Sequence, residues 1–384
     1  MCHSRNCYHL GVTVTRKFIL LGVSVVALSH AATAHAQSSI NPDISLIGDV
    51  RAHWNNNELD GSSDRLNLDL EEGELAIQGY LNPYSRGDVF LAFLPDGGAE
   101  IEELYITFTR GLPLGMSVKA GQYLLDFGKI NMLHPHAYSF IIRPLASDMF
   151  FGDEGLRDVG VKVSLPIPTG NIATTISADV LKGGFLASEE ADGGTAEAGT
   201  PNERAFAGRW SSFVTLGEFT SLSLGATTVT GVPEEGTRRW IWGGDVKLRW
   251  KPDRYRSFTV IGEYFGNRQP IDVLEPAPPG QSAGLSHAGE EHEYLNRHGV
   301  FGYIDYQFRQ RFNTGAMGDW VQGSESETET FWRAGAFAGF APVEETSLLR
   351  LLVAYNKDVA TDQEYWSGIL QLVFSLGPHK PHAF

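Results

Sequence analysis

Cysteine is nearly missing: the 384 residues hold two, Cys2 and Cys7, both ahead of an apolar run from Phe18 to Leu28. Arg16 and Lys17 precede that run, and Ala34-His35-Ala36 follows it with the small-x-small form that a signal peptidase cuts. Residues 1–36 therefore read as a secretory signal peptide, and the mature chain, 37–384, has neither a disulfide nor the cysteine that a lipoprotein keeps just past its apolar run. Downstream there is no stretch of about 20 consecutive apolar residues, which excludes a spanning helix and leaves a closed sheet as the one way through a bilayer. Basic residues are scarce as well. Without Arg5, Arg16 and Lys17 there remain 27 against 46 acidic ones, a net charge of −19 that argues against a nucleic-acid partner. A serine-hydrolase elbow, an HExxH pair, a P-loop and a dinucleotide fingerprint are all missing, so neither an enzyme nor a cofactor is expected.

What the chain has is alternation. In Trp366, Gly368, Leu370, Leu372, Phe374 and Leu376 every second residue suits lipid, while Ser367, Gln371 and Ser375 suit water. Strands are expected near 43–53, 68–80, 87–94, 101–110, 115–125, 157–166, 171–181 and 204–216. Eight more follow near 219–230, 238–250, 256–266, 298–309, 311–320, 329–340, 346–356 and 365–376. Asn82-Pro83-Tyr84, Gly111-Leu112-Pro113, Pro168-Thr169-Gly170, Gly217-Glu218, Lys251-Pro252-Asp253 and Ala341-Pro342-Val343 mark tight turns at every second junction. The junctions between them are mostly longer and acidic or Gly-rich, with 95–100 and 231–237 as short exceptions. This asymmetry, with aromatic residues such as Trp240, Trp250, Trp332, Phe340, Tyr355 and Trp366 near strand ends, is that of an all-β transmembrane antiparallel barrel of about 16 strands. A soluble β-sandwich would bury the apolar face and would not carry Lys, Arg, Asp and Glu on the other. Here Arg51, Lys119, Asp245, Lys247, Arg249, Glu263, Arg333 and Arg350 fall on the polar face and are expected to point into the lumen.

The third outer junction, 126–156, is unusual. It is too apolar and aromatic for solvent (Phe127, Ile130, Tyr138, Phe140, Phe150), yet it carries charge, so it should rest on the inner wall. His134, His136, Arg143, Asp148, Glu154 and Arg157 are its candidates for a pore constriction. Arg143, Glu154 and Arg157 could equally pin the loop to the wall by ion pairs. Gly121 to Gly128, His134-Pro135-His136, Arg143-Pro144-Leu145 and 152–160 are the most specific stretches; Glu72-Gly73-Glu74-Leu75-Ala76, Asn82-Pro83-Tyr84 and Glu102-Glu103-Leu104-Tyr105 accompany them. Over 66–168 the chain resembles the phosphate-selective porin family and related porins of Gram-negative outer membranes. The resemblance implies a barrel of about sixteen strands, commonly a homotrimer, whose third extracellular loop folds into the lumen. The solute is not carried over, because that family's phosphate channels use lumenal lysines and this chain has few.

One metal site suggests itself. His287, His292 and His298 stand among Glu290, Glu291 and Glu293, and imidazole with carboxylate could bind zinc or another divalent ion. His134 with His136, one residue apart, would need partners that the sequence does not name. The expected function is passive diffusion of small hydrophilic solutes or ions across a bacterial outer membrane. The alternative is a surface-exposed binding or metal-acquisition barrel that uses its His/Glu-rich loop. Expected partners are outer-membrane lipid and lipopolysaccharide, and the barrel assembly machinery, met by the terminal Phe384 or by Leu372 and Phe374. The acidic total favours cations only if the acids line the lumen.

Overall fold

A computed structural model describes residues 42–377, leaving out 62, 96, 153–154, 185–203, 233–237, 272–292, 324–328 and 344–345. The expected signal peptide, the tail ending in Phe384, and Glu154, His287 and His292 lie outside the described residues. Sixteen strands follow one another: β1 (Asp43–Asn55), β2 (Asn67–Asn82), β3 (Ser85–Phe93), β4 (Ala99–Phe108), β5 (Ser117–Leu124), β6 (Arg157–Thr169), β7 (Ile172–Leu181) and β8 (Ala205–Thr215). The second half comprises β9 (Thr220–Gly231), β10 (Arg239–Trp250), β11 (Ser257–Ile271), β12 (Glu293–Arg309), β13 (Phe312–Gln322), β14 (Thr330–Val343), β15 (Ser347–Asp358) and β16 (Gln363–Leu376). Each pairs antiparallel with its sequence neighbours, and β1 pairs with β16 from Leu46↔Leu376 to Asn55↔Ser367, so the sheet is a closed barrel without an edge.

Side-chain alternation decides which face is which. On β15, Leu349, Leu351 and Val353 are exposed, while Arg350, Leu352, Ala354 and Asn356 between them are buried. On β16, Trp366, Leu370, Leu372, Phe374 and Leu376 are exposed, whereas Gln371 is wholly buried. Val246 and Tyr264 stand outward on β10 and β11, with Asp245 and Glu263 on the opposite face. A broad apolar outer surface of this kind suits acyl chains, not water. Its margins are aromatic. Trp332, Tyr355 and Trp366 touch at the end of the longer loops, with ring centroids 5.2 and 5.4 Å apart, and Phe312 meets Phe340 at 4.8 Å at the turn end. Trp332 and Phe340 are eight residues apart on β14, about 27 Å along the strand at roughly 3.4 Å per residue. Once the strand tilt is allowed for, that matches an apolar band of about 25 Å.

The short turns are chemically specified. Asn82 Oδ1 accepts the backbone N–H groups of Tyr84 and Ser85, and Asp253 Oδ1 those of Tyr255 and Arg256. Both side chains stand in for a missing ladder partner. The structure departs from the sequence reading at β11 and β12, which extend to Ile271 and back to Glu293, with register kept from Gly266↔His298 to Ile271↔Glu293. Past the bilayer a hairpin needs only its backbone hydrogen bonds, so the apolar alternation that marks strands stops before the strands do.

Candidate functional site

Residues 125–156 join β5 to β6, and those described rest on the face of the sheet opposite the apolar belt. Tyr123, Leu125, Phe127, Ile130, Tyr138, Phe140, Ile141, Phe150 and Leu156 form one buried cluster with Ile241, Phe265, Phe301, Val321, Phe337 and Leu352 of the wall. These wall residues are apolar on the side where polar ones are expected, because the loop covers them. Phe140 lies 4.9 Å from both Phe301 and Tyr303, and Phe127 stacks on Phe265 at 5.7 Å. Gly243 makes the second contact feasible: a Cβ there would come within 2.7 Å of the Phe127 ring. A short helix, Leu145–Phe151, completes the segment.

Polar side chains of the wall then hold the loop by its backbone. Glu263 on β11 accepts the N–H groups of Lys129 and Ile130. Arg350 on β15 donates to the carbonyl of His136 at 2.8 Å, and Arg333 on β14 to that of Arg143 at 2.7 Å. Asp319 accepts from the Leu145 N–H and pairs with Arg333 at 2.7 Å, and Arg239 donates to the carbonyl of Phe150. Asn131 ties the two ends of the loop together, donating to the Leu125 and Leu156 carbonyls and accepting the Leu156 N–H. The guanidinium of Arg297 lies over the Phe150 ring, 4.8 Å from its centroid. Lys129 reaches Asp245 at 3.2 Å and Ser223 at 2.9 Å, and Arg209 meets Asp245 at 2.8 Å.

The charges expected on the inner face therefore divide by task. Glu263, Arg333 and Arg350 bind loop backbone, and Asp245 is neutralised by Lys129 and Arg209. Arg51 sits between Asp49 at 2.8 Å and Glu71 at 3.0 Å, and Lys119 lies over the Tyr105 ring at 4.1 Å. Lys247 and Arg249 instead line a cavity of about 290 Å³ together with Arg311, Arg350, Asp305 and Tyr303. The alternation identified these side chains; their partners, more than a hundred residues away in several cases, carried no local signal.

The candidates within the loop also separate. His134 and His136 are only 2% and 4% exposed, so they lie at the seam between loop and wall and not in a solvent path. Burial opposes charge on His134, but Glu74 and hydrogen bonds to Glu102 and Glu103 overcome it and hold the imidazole protonated well above its ordinary range. Arg143 lies 3.7 Å from Asp148 and donates to the Gly152 carbonyl, bracing the short helix, while Asp148 is partly exposed. Arg157 pairs with Glu100 across the base of the loop. His298 is a residue of β12, its ring beside Trp242 and Tyr264 and its Nδ1 2.7 Å from the Tyr264 hydroxyl. It belongs to the aromatic margin, and the metal-binding reading thus rests on His287 and His292, outside the described residues.

No family model matches the chain. An uncharacterized protein of Aquifex aeolicus strain VF5 is 25% identical over 359 residues, spanning 84% of this chain and 71% of its own length. Among solved structures, OprB of Pseudomonas putida is similar with a TM-score of 0.54 at 10% identity, covering 88% of this chain and 94% of its own. The outer membrane protein OmpT of Vibrio cholerae, in trimer form, gives 0.54 at 8% identity over 87% of this chain and 99% of its own. A porin refined at 1.8 Å resolution gives 0.50 at 13% identity over 87% of this chain and all of its own. The fold is the closed, 16-stranded antiparallel barrel of outer-membrane porins.

Proposed function

We propose that the protein is a passive channel of the bacterial outer membrane, through which small hydrophilic solutes or ions diffuse, and that residues 125–156 lie within the lumen as its constriction. The supporting observation is the pairing of an apolar outer belt with a charged inner face in a closed sheet of sixteen strands, a number that leaves an aqueous channel when closed. No catalytic chemistry is part of this reading. The anchoring of the loop by Glu263, Arg333, Arg350 and Arg239 supports a fixed aperture over a mobile lid, since each anchor satisfies a backbone group that would otherwise be buried unpaired. The resemblance to phosphate-selective porins over 66–168 and the trimer form of a structural neighbour support a homotrimer. Purified protein added to a planar bilayer is expected to give stepwise, ohmic conductance increments, grouped in threes if trimers insert. A folded, inserted protein that passes no current would end the proposal.

A further inference from the structure

Two irregularities of the sheet fall beside one another. Between Asp49↔Glu72 and Val50↔Leu70 the register of β1 and β2 slips at Glu71, and between Phe90↔Glu103 and Leu91↔Ile101 that of β3 and β4 slips at Glu102. A β-bulge turns a side chain that strict alternation would send the other way. Glu102 and its neighbour Glu103 consequently reach the same imidazole: His134 Nδ1 lies 3.0 Å from Glu102 Oε2, and Nε2 lies 3.2 Å from Glu103 Oε1. Glu74 Oε2 lies 3.0 Å from the same Nδ1 without hydrogen-bond alignment, and 3.8 Å from His136 Nδ1. One donor atom each from Glu72, Glu74, Glu102 and His134 falls within 4.8 Å of all the others. Glu72 and Glu74 are 6% and 1% exposed, and Glu72 Oε1 and both oxygens of Glu74 make no hydrogen bond.

We infer that Glu72, Glu74, Glu102 and Nδ1 of His134 bind one divalent cation of the zinc or manganese kind, which staples the loop to β2 and β4. Buried Glu72, Glu74 and Glu103 and half-buried Glu102 crowd one imidazole, and Glu72 Oε1 and the Glu74 oxygens, which accept no hydrogen bond, are atoms a cation would take. Three carboxylate oxygens alone would suit calcium or magnesium; an imidazole nitrogen among them shifts the preference to the transition series and zinc. Glu103 is the outer partner. By accepting from Nε2–H it leaves Nδ1 as the nitrogen for the metal, the arrangement in which a carboxylate orients a ligating histidine. Phe90 fixes the plane of the ring, stacking on His134 at 4.9 Å. The metal displaces the Nδ1 proton, which leaves with solvent. This inference does not depend on channel activity.

The test uses full-length protein in detergent, stripped with EDTA, exchanged into chelator-free buffer and titrated with Zn²⁺ or Mn²⁺ alone. One equivalent per chain is expected to remain after desalting. Retention should persist in a His287→Ala, His292→Ala, His298→Ala triple variant, and affinity should fall at least tenfold in Glu72→Gln and in Glu74→Gln, each shown to be folded by its heat-dependent mobility in detergent gels. No stoichiometric uptake by folded wild type, uptake undiminished in both glutamine variants, or uptake abolished by the triple variant would overturn it. X-ray absorption of zinc-loaded wild type needs no variant: one imidazole in the shell is expected, and any other number refutes the assignment.

Discussion

Glu263 is the side chain on which the turn at the start of the loop depends. Its carboxylate accepts the N–H groups of Lys129 and Ile130, and the residue just before them, Gly128, has φ +67° and its Cα faces that carboxylate so closely that a Cβ would come within 2.4 Å of Glu263 Oε2. Two consequences can be measured. Glu263→Ala strands the buried donor of Ile130, at a cost of about 1–3 kcal/mol, and the half-buried one of Lys129, whereas Glu263→Gln keeps an acceptor and should lose much less. Gly128→Ala adds the strain of a left-handed residue, of order 1–3 kcal/mol, to a steric conflict with the carboxylate. Urea unfolding of the refolded barrel followed by tryptophan fluorescence should rank the variants wild type, Glu263→Gln, then the two alanines. Equal midpoints for Glu263→Ala and wild type would show that the turn does not need its acceptor. At this scale the sequence was half legible. Period two placed Glu263, Arg333 and Arg350 on the inner face, but that each would serve a backbone group of the loop follows only from the fold.

Each strand is a small test of depth. Val353 lies at the middle of β15 and Leu376 at the end of β16, on the same outward face and both exposed. Arg at the bilayer midplane costs about 2–4 kcal/mol and near the interface about 0–1. Val353→Arg should therefore lower the refolding free energy in lipid vesicles by the larger amount and Leu376→Arg by the smaller one. Equal costs would mean that the outer face does not lie against acyl chains. All sixteen strands were legible because lipid on one side and polar groups on the other impose a strict alternation. Exceptions trace to places where that pressure is relieved. The ends of β11 and β12 rise past the bilayer, and the bulges at Glu71 and Glu102 trade alternation for a cluster of carboxylates around His134, which is why His134 and His136 looked partnerless in sequence and are not.

The net charge of the whole molecule, −16 for the full sequence, is a poor guide to what its interior presents. Glu189, Glu190, Glu234, Glu235, Glu290 and Glu291 fall between strands in the sequence, outside the described residues, while much of the charge on the inner face is paired. In a closed order of sixteen strands, β2–β4 and β10–β12 stand eight apart and so face one another across the barrel. Among the described residues the first group carries Glu72, Glu74 and Glu103, buried, with Asp88 paired to Arg86, and the second Arg239, Lys247, Arg249 and Arg297, with Asp305 beside Lys247 and Arg249 at the cavity and Asp245 and Glu263 engaged by Lys129, Arg209 and loop amides. Of these cations, Lys247 and Arg249 line the cavity beside Arg311 at the turn end of the barrel. Fixed charges beside a permeation path act over about a Debye length, about 10 Å at 0.1 M salt, and their influence should fade as salt rises. Replacing both, Lys247→Gln with Arg249→Gln, removes two positive charges and should move the reversal potential in a tenfold KCl gradient toward the potassium value, whichever ion the wild type prefers. The shift should shrink when both baths are raised toward 1 M at the same ratio. An unchanged reversal potential at low salt would place the conducting path away from that cavity.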